Sequence, residues 1–231
     1  MILEIDAISV NIQSAPILRG LSLAVGEGEI VGLVGRNGAG KTTTMRTIMG
    51  LRSPVAGSIH VDGRDVTQLE AHRRPILGLG YMPEDRRLVP ELTVEENMLL
   101  PAWVNDALDQ PAGLKFIYDL MPELFDMRGR KAMLLSGGQQ KMVALGRALL
   151  AGTRLLLLDE PFEGVAPALA QRLSEVIATL KDEKRSALIA QSELSHAVSL
   201  LDREYTIERG AIAEADAARG HKEAEADPAS V

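Results

Sequence analysis

The chain of 231 residues has no cysteine, so disulfides and thiolate metal sites are excluded, a composition that suits a reducing compartment. Aromatic residues make up only 3% of the sequence and none precedes Tyr81. The first third of the chain therefore offers no π face to a flat ligand. No apolar run approaches the ~18–20 residues of a membrane span, and the opening MILEIDAISV lacks the basic and apolar segments of a secretory leader. Positive charge is also in deficit. A net charge of −7 argues against nucleic-acid binding through a general basic surface.

What is present is apolar: 46% of residues are hydrophobic, enough for one domain with a real core. Short β-like runs alternate with helical patterns along the chain, which predicts an α/β fold with a mainly parallel sheet. Predicted strands cover Glu29–Val34, Gly57–Val61, Gly80–Met82 and Ala187–Gln191, with a final β pair around Gly210. Predicted helices cover Lys41–Met49, Leu114–Leu120, Gln139–Leu150, Pro167–Leu180 and Leu194–Leu201. The stretch from about Thr93 onward has a different texture, with Pro101, Pro111, Pro122 and the single Trp103. It reads as a helical lobe, about 93–150, inserted into a domain spanning 1–213. The acidic, alanine-rich residues 214–231 read as a disordered tail.

Three motifs carry chemistry. Gly35-Arg36-Asn37-Gly38-Ala39-Gly40-Lys41-Thr42 follows a strand and opens a helix, the context a phosphate loop requires. Glycines let backbone N–H groups wrap an anion at a helix N-terminus, Lys41 reaches the β- and γ-phosphates, and the Thr42 hydroxyl can ligate Mg²⁺. Thr43 continues the same loop. The second motif is Leu155–Leu158, four leucines that end on Asp159 and Glu160. A strand apolar on both faces belongs in the middle of a parallel sheet, and ligands gather at the carboxyl ends of such strands. Asp159 then supports the metal while Glu160 polarises an attacking water; neighbouring strand residues point to opposite faces, so the two need not share one job. Third, Leu135-Ser136-Gly137-Gly138-Gln139 places a hydroxyl and bare N–H donors at another helix start. Alone it also fits an ordinary capped helix. Beside a complete phosphate loop it suggests a site finished by a second copy.

In this order and spacing the motifs resemble the ATP-binding-cassette family, from about Leu3 to Ala213. Further stretches are similar to its branched-chain amino-acid importer branch: Tyr81–Arg87 (YMPEDRR), Thr93–Asn97 (TVEEN) and Glu163–Pro167 (EGVAP). The resemblance implies a P-loop ATPase core with an antiparallel β subdomain, with ATP and Mg²⁺ as cofactors. It implies a head-to-tail dimer with an identical or paralogous cassette, in which Ser136, Gly137, Gly138 and Gln139 cover the partner's ATP and Ala166–Pro167 lies near the crossing loop. It further implies membrane permease subunits docking on Arg86–Asn97 and the helical lobe, a solute-binding protein acting indirectly, and a place on the cytoplasmic face of the membrane.

Three positions depart from the commonest pattern. Glu84 stands where most cassettes carry a Gln that contacts magnesium and water, and a carboxylate can still ligate there. Gln191 occupies the place expected for a His beside the γ-phosphate; it can donate a hydrogen bond but cannot titrate near neutrality. His196 reads as a helix-surface residue. Ile12 falls where the adenine-stacking aromatic is usual. The leading expectation is thus the ATPase of an importer for branched-chain or other hydrophobic amino acids, with urea or amide importers as relatives. A cassette acting on DNA or ribosomes fits poorly, because about 50 residues between Glu84 and Ser136 are too few for a long coiled coil. A non-hydrolysing regulator is opposed by Glu160.

Overall fold

The computed structural model describes residues 1–192 and 200–217. Two sheets form the frame. The smaller is antiparallel, with order β2-β1-β4-β5, from β1 (Leu3–Ile12), β2 (Ala15–Val25), β4 (Ala56–Val61) and the short β5 (Arg64–Asp65). The larger has six strands in the order β10-β9-β3-β8-β7-β6: β3 (Ile30–Val34), β6 (Leu79–Met82), β7 (Leu155–Asp159), β8 (Ser186–Gln191), β9 (Arg203–Glu208) and β10 (Ala211–Ala217). All its pairings are parallel except β9 with β10. The expected boundary at residue 213 falls inside β10, which runs on to Ala217. The predicted tail beyond it, like His196 and most of the predicted helix Leu194–Leu201, lies outside the described residues.

The leucine strand explains the layering. Leu155 and Leu157 point into one cluster, with Val31, Leu33, Leu188 and Ala190, against β1, β2 and the helix α1 (Lys41–Ile48). Leu156 and Leu158 point into the other, with Ile189, against α5 (Gly137–Ala151) and α6 (Pro167–Asp182). All four leucines are fully buried, each contributing about 2 kcal/mol of transfer free energy. This strand is apolar on both faces because each face is covered by its own layer.

The helices between β6 and α5 are α2 (Val94–Leu99), α3 (Gln110–Leu120) and α4 (Pro122–Asp126). They share the α5 cluster through Val94, Met98, Ile117, Met121 and Leu124, packed with Met142, Leu145 and Leu149. These helices share one core with α5 and the large sheet. Asn97, expected on a docking stretch, is fully buried. Its side chain bonds the backbone of Val89, Leu92 and Thr93, so it shapes that loop and presents nothing outward.

At the far end of α1, Arg74 is almost wholly buried and donates to the carbonyls of Thr47, Ile48, Leu69 and Thr67. A guanidinium there satisfies the last carbonyls of α1, where the helix dipole favours a cation. Burial lowers its pKa, and its compensation comes from carbonyls rather than a carboxylate.

Candidate active site

Strand order builds the site. β8 lies between β3 and β7, so the chain leaving β8 emerges between the phosphate loop and the carboxylates. Two backbone bonds fix this: Gly35 N–H donates to Gln191 O (3.1 Å) and Glu160 N–H to Ala190 O (3.0 Å). The loop itself needs glycine. Gly40 has φ 118°, and a Cβ on Gly35 would lie 2.3 Å from the Ile207 carbonyl oxygen, a contact no side chain can make.

Lys41 is buried and donates to Gly35 O (2.6 Å), Arg36 O (3.3 Å) and Ser192 Oγ (3.1 Å). Its ammonium also pairs with Glu160 Oε1 at 3.1 Å. Ser192 stands at the centre. Its N–H donates to Glu160 Oε2 (3.1 Å), and its hydroxyl lies 2.6 Å from Glu160 Oε1 and 2.7 Å from Asn37 Oδ1. One hydroxyl hydrogen serves one of these oxygens while the lone pairs accept from Lys41.

Gln191, expected to face the phosphates, does not join this cluster. Residues alternate across a strand, so Gln191 follows Ile189 toward the α5 and α6 side, whereas Ser192 follows Leu188 and Ala190 toward α1. Gln191 is buried, and among the described residues its Oε1 has no partner. Alternation along β8 puts Gln191 and Ser192 on opposite faces, and the strand order decides that Ser192 takes the phosphate-loop face.

Asp159 obeys the same parity and points to α1. Thr42 Oγ1 donates to its Oδ1 (3.1 Å) and the Tyr81 hydroxyl to its Oδ2 (3.3 Å); Tyr81 is a contact the sequence reading had not assigned. Burial pushes the Asp159 carboxyl up to about 6, with Glu84 and Glu160 adding in the same direction and the Thr42 and Tyr81 bonds opposing. The Tyr81 phenol is itself raised, by burial first and then by the Asp159 charge. A buried carboxylate under this pressure is relieved by a divalent cation. Among the described residues no cluster of three or more acidic or His side chains could hold a metal alone. The donors present, Asp159 and Thr42 with Glu84 nearby, suit Mg²⁺ completed by water and phosphate.

Glu160 breaks the strand. Its φ is 50°, in the left-handed region, which turns its carboxylate back toward Lys41 instead of along the Leu158 face. A cavity of about 410 Å³ opens beside it, lined by Asn37, Gly38, Gly40, Lys41, Thr42, Thr43, Glu84 and Glu160, with Ile12 and Ile17 as its apolar wall. Of the predicted residues, Gly35, Arg36 and Ala39, together with Asn37 and Gly38, line a second hollow beside the loop. Ser136, Gly137, Gly138 and Gln139 line neither of these two. Ser136 and Gln139 instead close a reciprocal capping box at the start of α5, with bonds of 3.2 and 3.0 Å, leaving an exposed helix end.

α5 reaches both flanking loops from below. The Arg147 guanidinium donates to the carbonyls of Arg86 and Arg87, two consecutive left-handed residues just after Glu84. Lys141 donates to the carbonyls of Glu160 (2.8 Å) and Glu163, and burial lowers its pKa.

Comparison with known proteins agrees with this geometry. The family model described as "ABC transporter" matches residues 18–163. The high-affinity branched-chain amino acid transport ATP-binding protein BraG of Pseudomonas aeruginosa is 35% identical over 91% of this chain and 90% of its own length. The lipopolysaccharide export system ATP-binding protein LptB of Haemophilus influenzae is 32% identical over 91% and 88%. A solved ATP-binding cassette of an ABC transporter in its ADP conformation superposes with a TM-score of 0.80 at 27% identity, covering 94% of this chain and 91% of that one. A nucleotide-free cassette gives 0.82 at 26% identity, covering 94% and 92%. With the phosphate loop, the carboxylate pair and the helix capped by Ser136 in place, the chain belongs to the ABC transporter family and is its ATP-hydrolysing subunit.

Proposed function

We propose that this chain powers uptake of branched-chain or other hydrophobic amino acids, pairing with a second cassette and with permease subunits at the inner face of the membrane. Kinship to BraG over nine-tenths of both chains carries the substrate class. The YMPEDRR, TVEEN and EGVAP stretches support the same branch. LptB proteins match almost as closely, so the reading rests on the branch motifs as well as on identity. No helix among the described residues is long and apolar enough to cross a membrane, and the membrane path belongs to the permease in this reading. Exposed Trp103, Val104 and Phe125 on the helical region supply apolar surface for it.

Within the site, Lys41 and the loop N–H groups take the phosphates, and Thr42 and Asp159, with Glu84 at the rim, are the residues that would hold Mg²⁺, which when bound would supply positive charge against the phosphates. Arrival of the phosphates draws Lys41 away from Glu160, whose freed carboxylate then orients water for in-line attack. Ser192, placed between Asn37, Lys41 and Glu160, stands where a γ-phosphate oxygen would need a donor. Ser136–Gln139 of each subunit cover the nucleotide of the other.

Steady-state ATP turnover of wild type against Glu160→Gln tests the hydrolytic role: a drop of roughly 10²-fold or more is expected, and equal rates would overturn it. Uptake of labelled leucine by vesicles holding the chain with its neighbouring permease and binding protein tests the solute. Uptake of urea or an amide but no leucine would assign the related importer class instead.

A further inference from the structure

The left-handed turn at Glu160 has to be held by something, since a non-glycine residue at φ 50° costs on the order of 1 kcal/mol or more. Its N–H is taken by Ala190 O and its carboxylate by Lys41 and Ser192. Its carbonyl accepts from Lys141 Nζ at 2.8 Å, and the same ammonium donates to the Glu163 carbonyl. Lys141 thereby bridges both ends of the turn that begins at Glu160. It sits little more than one turn beyond Ser136 on α5.

Lys141 is 6% exposed, and among the described residues no carboxylate oxygen lies within ion-pair range of it. A buried ammonium whose direct partners are carbonyls carries a desolvation cost that an apolar side chain would avoid, offset in part by the nearby charges of Glu163, Glu160 and Glu84. Its neighbours Met142, Val143 and Ala144 on α5 are all apolar and buried. The direct contacts that a cation makes here are the two carbonyls of the turn.

We propose that Lys141 is a positioning residue for Glu160: it ties the turn that aims the catalytic carboxylate to the helix that begins at Ser136. Movement of that exposed helix end, which in the dimer covers the partner's nucleotide, then reaches the carboxylate of the chain's own site. The proposal rests on the hydrolytic role given to Glu160 above.

The test is ATP turnover and fluorescent-ATP binding by the purified full chain carrying Lys141→Met, which keeps an unbranched stem without the charge. The expected result is kcat lower by about 10–50-fold with nucleotide affinity within about threefold, a split that marks loss of transition-state geometry. In a Glu160→Gln background the same substitution should change the residual single-turnover rate less than about twofold, because the group it positions is already gone. An equal loss in both backgrounds, or an unchanged kcat in folded Lys141→Met, overturns the proposal. Should Lys141→Met fail to fold, Lys141→Gln, which keeps a shorter donor, carries the same comparison. A wild-type chain that binds ATP without turnover removes the hydrolytic reading and this proposal together. Active wild type with equal losses in both backgrounds removes the proposal alone.

Discussion

The two faces of the six-stranded sheet handle charge differently. Around the phosphate loop on the α1 face, the carboxylates meet side chains: Lys41 pairs with Glu160, Thr42 with Asp159, and Ser192 links Lys41 to Glu160. On the α5 face, cations meet backbone: Lys141 and Arg147 hold carbonyls of the turns that follow Glu160 and Glu84. Contacts of the first kind are replaceable, because phosphates and a cation can compete for every partner. Contacts of the second kind hold the frame, because no incoming ligand offers a backbone carbonyl a better donor. The face that must exchange partners during turnover is thus separated, by one layer of strands, from the face that must keep them.

The largest break in this contrast is expected at Lys41. Lys41→Ala removes the charge that grips the phosphates and leaves Glu160 buried with only Ser192 beside it. Turnover should fall about 10³-fold, a loss of roughly 4 kcal/mol in transition-state stabilisation, measured as kcat/KM with saturating Mg²⁺. A fall of less than tenfold would mean that backbone N–H groups alone carry the phosphates.

Asp159 sharpens the contrast from the side of stability. Its folded pKa of about 6 lies above the ordinary aspartate value of 3.8, so the folded chain binds this proton more tightly than the unfolded one. The stabilisation from protonation is present below about pH 4 and is lost as pH rises through 6; at pH 7 the ionised group is a burden. Asp159→Asn should therefore stabilise the nucleotide-free chain at pH 7 by about 2–3 kcal/mol, or roughly 4–12 °C in Tm, while abolishing turnover. Added Mg²⁺ and ATP should narrow that gap. A variant that melts at or below the wild-type temperature at pH 7 would show that Thr42 and Tyr81 already relieve the charge.

Ser192 and Gln191 compare the faces within two adjacent residues. Ser192→Ala should lower kcat about tenfold, near 1.4 kcal/mol, whereas Gln191→Leu on the α5 side should change it less than about threefold. The reverse ranking would return the phosphate-facing role to Gln191. The same pair shows what the sequence could and could not disclose. Glycine spacing, the leucine run and the helix capped by Ser136 are local patterns, and each appears where periodicity and motif placed it. Strand order is not local: nothing in residues 186–192 says that β8 separates β3 from β7, and that order brings Ser192 between Lys41 and Glu160. The burial of Asn97 and the grips of Lys141 and Arg147 were hidden for the same reason. Each depends on two segments far apart in the chain, and a Lys or Asn on a helix reads as solvated until its neighbours are known.

The smallest effect is expected where the site is least equipped. Ile12 and Ile17 form the apolar wall of the nucleotide cavity, both half-buried, and neither has a flat face. An aliphatic wall excludes water from a purine but does not distinguish one purine edge from another, since it offers neither stacking geometry nor a hydrogen bond. ATP and GTP should therefore be hydrolysed with kcat/KM values within about threefold of each other. Ile12→Tyr adds a ring and should tighten nucleotide binding about three- to tenfold, near 1 kcal/mol, for both purines alike, measured with fluorescent ATP and GTP analogues. A gain for ATP alone would mean that a polar group elsewhere already reads the adenine edge, and the discrimination would then lie outside this apolar wall.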